Sequence, residues 1–173
     1  MSGGSHHVEA HDSLGKIVGV QVAIIAVLLS ISTILAHRAH TDTILYANQA
    51  SNSWSHYQAK RIRAYQVEMN TGLVKLLAPN STEATKTLEE YTSQTEKYTK
   101  DLEGIKHDAE HNEQGSEHAH HQAGYFDLTE GLFEIAMILS SLFFISRKKF
   151  FPAFGLAIGS VGLIVGILGL LAH

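Results

Sequence analysis

Asp127, Glu130 and Glu134 recur at steps of three and four, which places three carboxylates on one face of a helix. They stand at the start of a segment that is otherwise hydrocarbon, and Glu134 falls about 10 Å into it at 1.5 Å per residue. Ionisable groups at such depth face a bundle interior or a wet cavity, so a proton or cation path using Glu130 and Glu134 is one chemistry they can serve. The plainer alternative is a neutral carboxylic acid hydrogen-bonded across helices. If neighbouring apolar segments run antiparallel, Glu134 is level with Ser30 and Gly162, a hydroxyl and a bare backbone.

Histidine supplies the second set, with 12 in the chain and the densest run at His107, His111, His118, His120 and His121. His107 and His111 are one helical turn apart, a spacing that can grip a divalent transition metal, with Glu110, Glu113 or Glu117 completing the shell. The order His-Asp-Ala-Glu-His matches no defined zinc motif, and a solvated linker rich in histidine explains the same residues. His6, His7 and His11 read as part of a mobile tail. There is no cysteine, hence neither disulfide nor thiolate site. No nucleophile elbow or phosphate loop is visible, so no residue is assigned a catalytic role and the chain is expected not to be an enzyme.

The elements that must position these groups are helices. A mean hydropathy of +0.00 over 173 residues averages two opposite populations. Residues 17–36, 125–145 and 150–172 approach the ~20 apolar residues that cross a bilayer core. The rest divides into a flexible polar tail (1–16), an extramembrane helical hairpin (37–110, turning near 78–81), a His/Glu-rich return linker (111–124) and a basic loop (146–149). The Ser146-Arg147-Lys148-Lys149 loop favours the cytoplasmic side, which puts the amino terminus in the cytoplasm and the hairpin in the periplasm.

Gly155, Gly159, Gly162, Gly166 and Gly169 form a side-chain-free stripe on the last span. In lipid such a stripe admits a neighbouring backbone at close range. Outside the membrane, Trp54, Gln58, Ile62, Tyr65, Met69, Leu73 and Leu76 follow an eleven-residue rhythm, that of a straight or slightly right-handed helix. Pro79 ends that arm, Asn80 with Glu83 offers a capping-box start for the next, and Leu88, Tyr91, Thr95, Tyr98, Leu102, Ile105 and Ala109 keep a seven-residue rhythm. Both seams are thin, and packing an amphipathic face is what stabilises helices. The expected partners are membrane lipid, further copies of the chain and a larger membrane complex. A net charge of −4 gives no nucleic-acid signature, and the basic turn Lys60-Arg61-Ile62-Arg63 fits one face of an ordinary helix.

The run Trp54-x-x-Tyr57-Gln58-Ala59-Lys60-x-Ile62-Arg63, the later Tyr125-Phe126-Asp127-Leu128-x-Glu130 and the basic-tipped terminal hairpin resemble the bacterial membrane proteins catalogued as domain of unknown function 4337. The resemblance implies one amino-terminal span, a helical middle and a two-span hairpin, and it brings no activity. The expected fold is an all-α membrane protein of three transmembrane helices with an extramembrane antiparallel, coiled-coil-like hairpin. The expected role is a non-catalytic structural homo-oligomer or accessory subunit in the bacterial inner membrane. A conducting subunit and a periplasmic metal-binding or sensor-like protein are the alternatives.

Overall fold

In the computed structural model the chain forms three helices, α1 (Ser5–Leu77), α2 (Thr82–Ser146) and α3 (Phe150–Leu171). The structure describes residues 5–78 and 81–172, with side chains from residue 13 onward. Each helix contains a stretch long and apolar enough to cross a membrane. The chain divides into two compact units: α1 up to Asp42 with His118 onward, and Thr43–Glu117.

In the first unit α1 and α2 run antiparallel, since Gln21 meets Ser140, Thr33 meets Glu130 and His40 meets Asp127. The buried side of α1 is a seven-residue seam that includes Val18, Ile25, Ser32, Ala36 and Ala39. It packs as two clusters: Ala36 and Ala39 on Ala123 and Phe126, and Ile25 on Phe133 and Ala136. Small residues at most of these contacts let the helix axes approach closely. α2 ends at a tight loop in which Arg147 takes the left-handed conformation (φ 55°) and donates its N–H to the Phe143 carbonyl at 2.8 Å. That conformation is uncommon for a residue with a Cβ, and it closes the helix as a glycine commonly does.

In the second unit the arms are again antiparallel: the Ser116 hydroxyl donates to the Thr43 carbonyl at 3.1 Å, Gly115 lies against the Tyr46 ring, and Lys60 pairs with Asp101. On α1 the covered residues are Tyr46, Ala50, Ser53, Tyr57, Lys60, Ala64, Val67, Thr71 and Val74, with Trp54 beside them. This is a seven-residue rhythm, and it corrects the expected eleven-residue seam. Ile62, Tyr65, Met69, Leu73 and Leu76 are 50–80% exposed. Beyond Tyr57 this seam takes alanine, valine, threonine and the lysine stem on α1, while Ile62, Met69, Leu73 and Leu76 stand outside it.

On α2 the expected rhythm is covered at Leu88, Tyr91, Tyr98, Leu102, Ile105 and Ala109, while Thr95 is exposed. The same steps continue through Asn112, Ser116, Ala119, Ala123, Phe126 and Glu130. Residues 111–124 are therefore helical, where a return linker was expected. Their seam consists of small residues, which carry no stripe that hydropathy can register, yet Ala109, Ala119 and Ala123 are buried.

One further boundary moves, and the hairpin turn falls at 78–81 as expected. The tail expected over residues 1–16 is helical from Ser5, an extension of a long helix that needs no fresh nucleation; residues 1–4 and the side chains of His6, His7 and His11 lie outside the described residues. α2 begins at Thr82, and its cap is Ser81, whose Oγ accepts the Ala84 N–H at 3.3 Å and donates to Glu83 at 3.0 Å. The expected turn residue Pro79 and cap Asn80 lie outside the described residues. Its own backbone N–H and the Ser81 hydroxyl pull the Glu83 carboxyl below its ordinary value.

Candidate functional site

Polar groups in the first unit are tied in pairs across α1 and α2. His40 Nε2 sits between both oxygens of Asp127, at 3.1 and 3.0 Å, with both side chains about half exposed. One turn further along, the Thr33 hydroxyl divides its single proton between the Leu29 carbonyl (3.1 Å) and the Glu130 carboxyl (2.8 Å). Near the Arg147 loop, Gln21 Nε2 donates to Ser140 Oγ at 2.9 Å and to the Pro152 carbonyl at 3.0 Å. Ser140, fully buried, donates its own hydroxyl to the Ala136 carbonyl at 2.7 Å. Gln122, two turns before Glu130, donates to the Gly169 carbonyl at 3.2 Å. The last helix is thus pinned by a glutamine amide towards each end. Neither glutamine stands out in the sequence by spacing; the signal available was an amide inside, or just outside, an apolar run.

Glu134 behaves differently from its neighbours. It is exposed and, among the described residues, makes no hydrogen bond. The expected register is present, because the pairing of Thr33 with Glu130 sets Ser30 opposite Glu134. Ser30 is exposed and also without a hydrogen bond among the described residues, so the two groups share a level and do not meet. Asp127 and Glu130 are partnered within the protomer, and Glu134 is left over.

The glycine stripe lies against α2 of the same chain. A Cβ added at Gly155 would stand 2.7 Å from the Ala136 carbonyl oxygen, at Gly162 3.2 Å from Leu132, at Gly166 3.1 Å from Thr129 and at Gly169 2.8 Å from Tyr125. Gly159 is looser, at 3.6 Å from Ala136. The stripe is occupied inside the protomer and therefore carries no argument for contact between copies. Grooves of about 390 and 190 Å³ remain beside it, the larger lined by Gln21, Ile25, Phe133, Leu156, Gly159 and Leu163 among others. Apart from Gln21, their walls are apolar or lightly hydroxylated, without a set of groups for chemistry.

In the second unit Lys60 ties the arms together: its ammonium is bonded to Asp101 and lies 5.9 Å from the Tyr98 ring centre. That hydrogen bond holds the Asp101 carboxyl below its ordinary value. Trp54 and Tyr57 meet edge to face at 5.7 Å, and the Arg61 guanidinium donates twice to the Tyr65 hydroxyl, which raises its own affinity for the proton. Of the motif residues, Trp54, Tyr57 and Lys60 are partly covered, whereas Gln58 and Ala59 face outward. Ile62, Tyr65, Met69, Leu73 and Leu76 of the expected eleven-residue set, with Leu77 beside them, form an uncovered apolar stripe on this unit.

The histidines do not converge. His107 and His111 project from α2 in one unit, His118, His120 and His121 from α2 in the other, and all five are exposed. Among the described residues no three His, Asp or Glu side chains come together as a group able to hold a metal. The continuous helix turns each residue 100° from the last, which spreads the five side chains around α2 and leaves His107 with His111, and His118 with His121, one turn apart.

A family model described as a domain of unknown function, DUF4337, matches residues 14–172. No curated protein and no solved structure matches the chain.

Proposed function

Because the chain belongs to the DUF4337 family, which carries no activity with it, we propose its role from its own geometry: a non-catalytic, multi-pass membrane protein that works as a structural homo-oligomer. The three apolar stretches anchor it in the bacterial inner membrane, with the Arg147-Lys148-Lys149 loop on the cytoplasmic side and Thr43–Glu117 in the periplasm.

One observation carries this reading. Ile62 (57% exposed), Met69 (67%), Leu73 (51%), Leu76 (80%) and Leu77 (81%) are uncovered on the part of the chain outside the apolar stretches. A contiguous apolar strip of that kind in water marks an interaction surface. Light scattering of the detergent-purified chain is expected to give a mass of several protomers, and the variant Met69→Gln/Leu73→Gln/Leu76→Gln a lower one. Monomer for the unaltered chain would refute the proposal, and an unchanged mass for the variant would remove the strip from it.

A conducting subunit is the second reading, favoured by the succession His40–Asp127, Thr33–Glu130 and Glu134 along one side of the helix pair. Proton flux in liposomes that Glu130→Gln and Glu134→Gln abolish would support it, and equal fluxes would end it.

A further inference from the structure

Glu134 and Ser30 mark a face of the membrane unit on which both are exposed and without a hydrogen bond among the described residues. α3 meets α2 at Tyr125, Thr129, Leu132, Ala136 and Ser140. At 100° per residue Glu134 lies about 160° around α2 from Ala136 and about 40° beyond Glu130. On α1, Ser30 lies about 160° around from Leu28, which lines the groove beside α3. Both residues therefore belong to the side of the α1/α2 pair that turns away from α3. Around them small positions alternate with large ones: Ala23 and Ala26 are exposed and a Cβ added at Gly131 would meet nothing within 4 Å, beside exposed Val27, Ile34 and Ile138.

Hydrocarbon is a poor cover for this face. Among the described residues the Glu134 carboxyl, one turn below the Thr33–Glu130 pair, has no donor, and the level hydroxyl of Ser30 has no acceptor outside its own helix. A two-fold axis along the membrane normal supplies both. It preserves depth and sets α1 of one copy against α2 of the other, so a residue i meets j and j meets i. We propose that a second copy of the chain packs on this face, Ser30 of each copy donating to Glu134 of the other, with Gly131 and Ala26 allowing the backbones to close. The proposal rests on the reading of the chain as a membrane-spanning homo-oligomer and adds to it which face is shared and by which groups.

The absence of cysteine makes the test direct. Ala26 and Ile138 lie at similar depth on the two helices of this face, and copies carrying Ala26→Cys are mixed with copies carrying Ile138→Cys before oxidation in membranes. A disulfide-linked dimer is expected. Ile164→Cys, exposed on α3, is expected to remain uncrosslinked. Ser30→Ala and Glu134→Leu each remove both symmetric bonds and are expected to lower the dimer association constant by about tenfold, at roughly threefold per bond, while Glu134→Gln, which still accepts, retains assembly. Gly131→Leu is expected to abolish the crosslink. A multi-protomer mass with crosslinks only through Ile164→Cys would overturn this face and leave the homo-oligomer standing; a monomeric chain would overturn both.

Discussion

Gln21 donates one amide to two acceptors on different helices, Ser140 Oγ at 2.9 Å and the Pro152 carbonyl at 3.0 Å. Three helices meet at this one side chain beside the loop that reverses the chain. Gln21→Leu keeps the volume and removes both bonds, leaving the Ser140 hydroxyl its bond to Ala136. A loss of about 1–2 kcal/mol is expected, read by denaturation in detergent. Gln21→Glu, which cannot donate from its ionised form, is expected to be worse. A stability equal to that of the unaltered chain in both variants would contradict the contact.

The glycines of α3 differ in how much room they have, which gives a graded test. Alanine at Gly155 meets the Ala136 carbonyl at 2.7 Å, backbone that cannot yield cheaply, and a cost of about 1–3 kcal/mol is expected. Alanine at Gly159 finds ordinary contact at 3.6 Å. There the gain in helix preference, about 0.8 kcal/mol at most, should leave stability unchanged or slightly higher. Thermal melts of the two variants in the same detergent decide the order.

The Lys60–Asp101 bond makes the hairpin sensitive to acid. Because the folded carboxyl is held below its ordinary value, the stabilisation is complete above the unfolded value of about 3.9 and disappears as pH falls through the lower folded one. Melting temperature should therefore drop on acidification below about pH 4. In Asp101→Asn it should be lower at neutral pH and lose this part of the slope. Lys60→Gln should behave alike, and circular dichroism melts at pH 7, 4 and 2.5 would show it.

Ser81 satisfies the first turn of α2 through Ala84 and faces Glu83 in return. Ser81→Ala is expected to cost about 1 kcal/mol and Ser81→Asp much less, since aspartate also accepts from the first turn. Hydrogen exchange at residues 82–86 should quicken in the alanine variant alone.

The sequence disclosed the features that depend on large contrasts. Three apolar stretches, the bare face of α3 and the antiparallel level of Ser30 with Glu134 all follow from hydropathy and helical rise. What stayed hidden depends on small residues. Ala109, Ala119 and Ala123 bury a helix that hydropathy reads as a polar linker, and Ala50, Ala64 and Val67 line an arm whose bulky Ile62, Met69 and Leu76 suggested another face. Size misleads where helices lie close, because the tightest contacts have the least side chain in them. The paired histidine and glutamate at His40 and Glu130 were equally concealed, since their partners are some ninety residues away in sequence.

The seven-residue rhythm also constrains the length of each pair of arms. One residue added to α2 between Ala119 and Ala123 would swing Ala123, Phe126 and Glu130 by about 100° relative to Ala119 and take them off the seam. Changes of length that keep this register within a unit are therefore whole heptads, matched on its two arms, so its size is set in discrete steps.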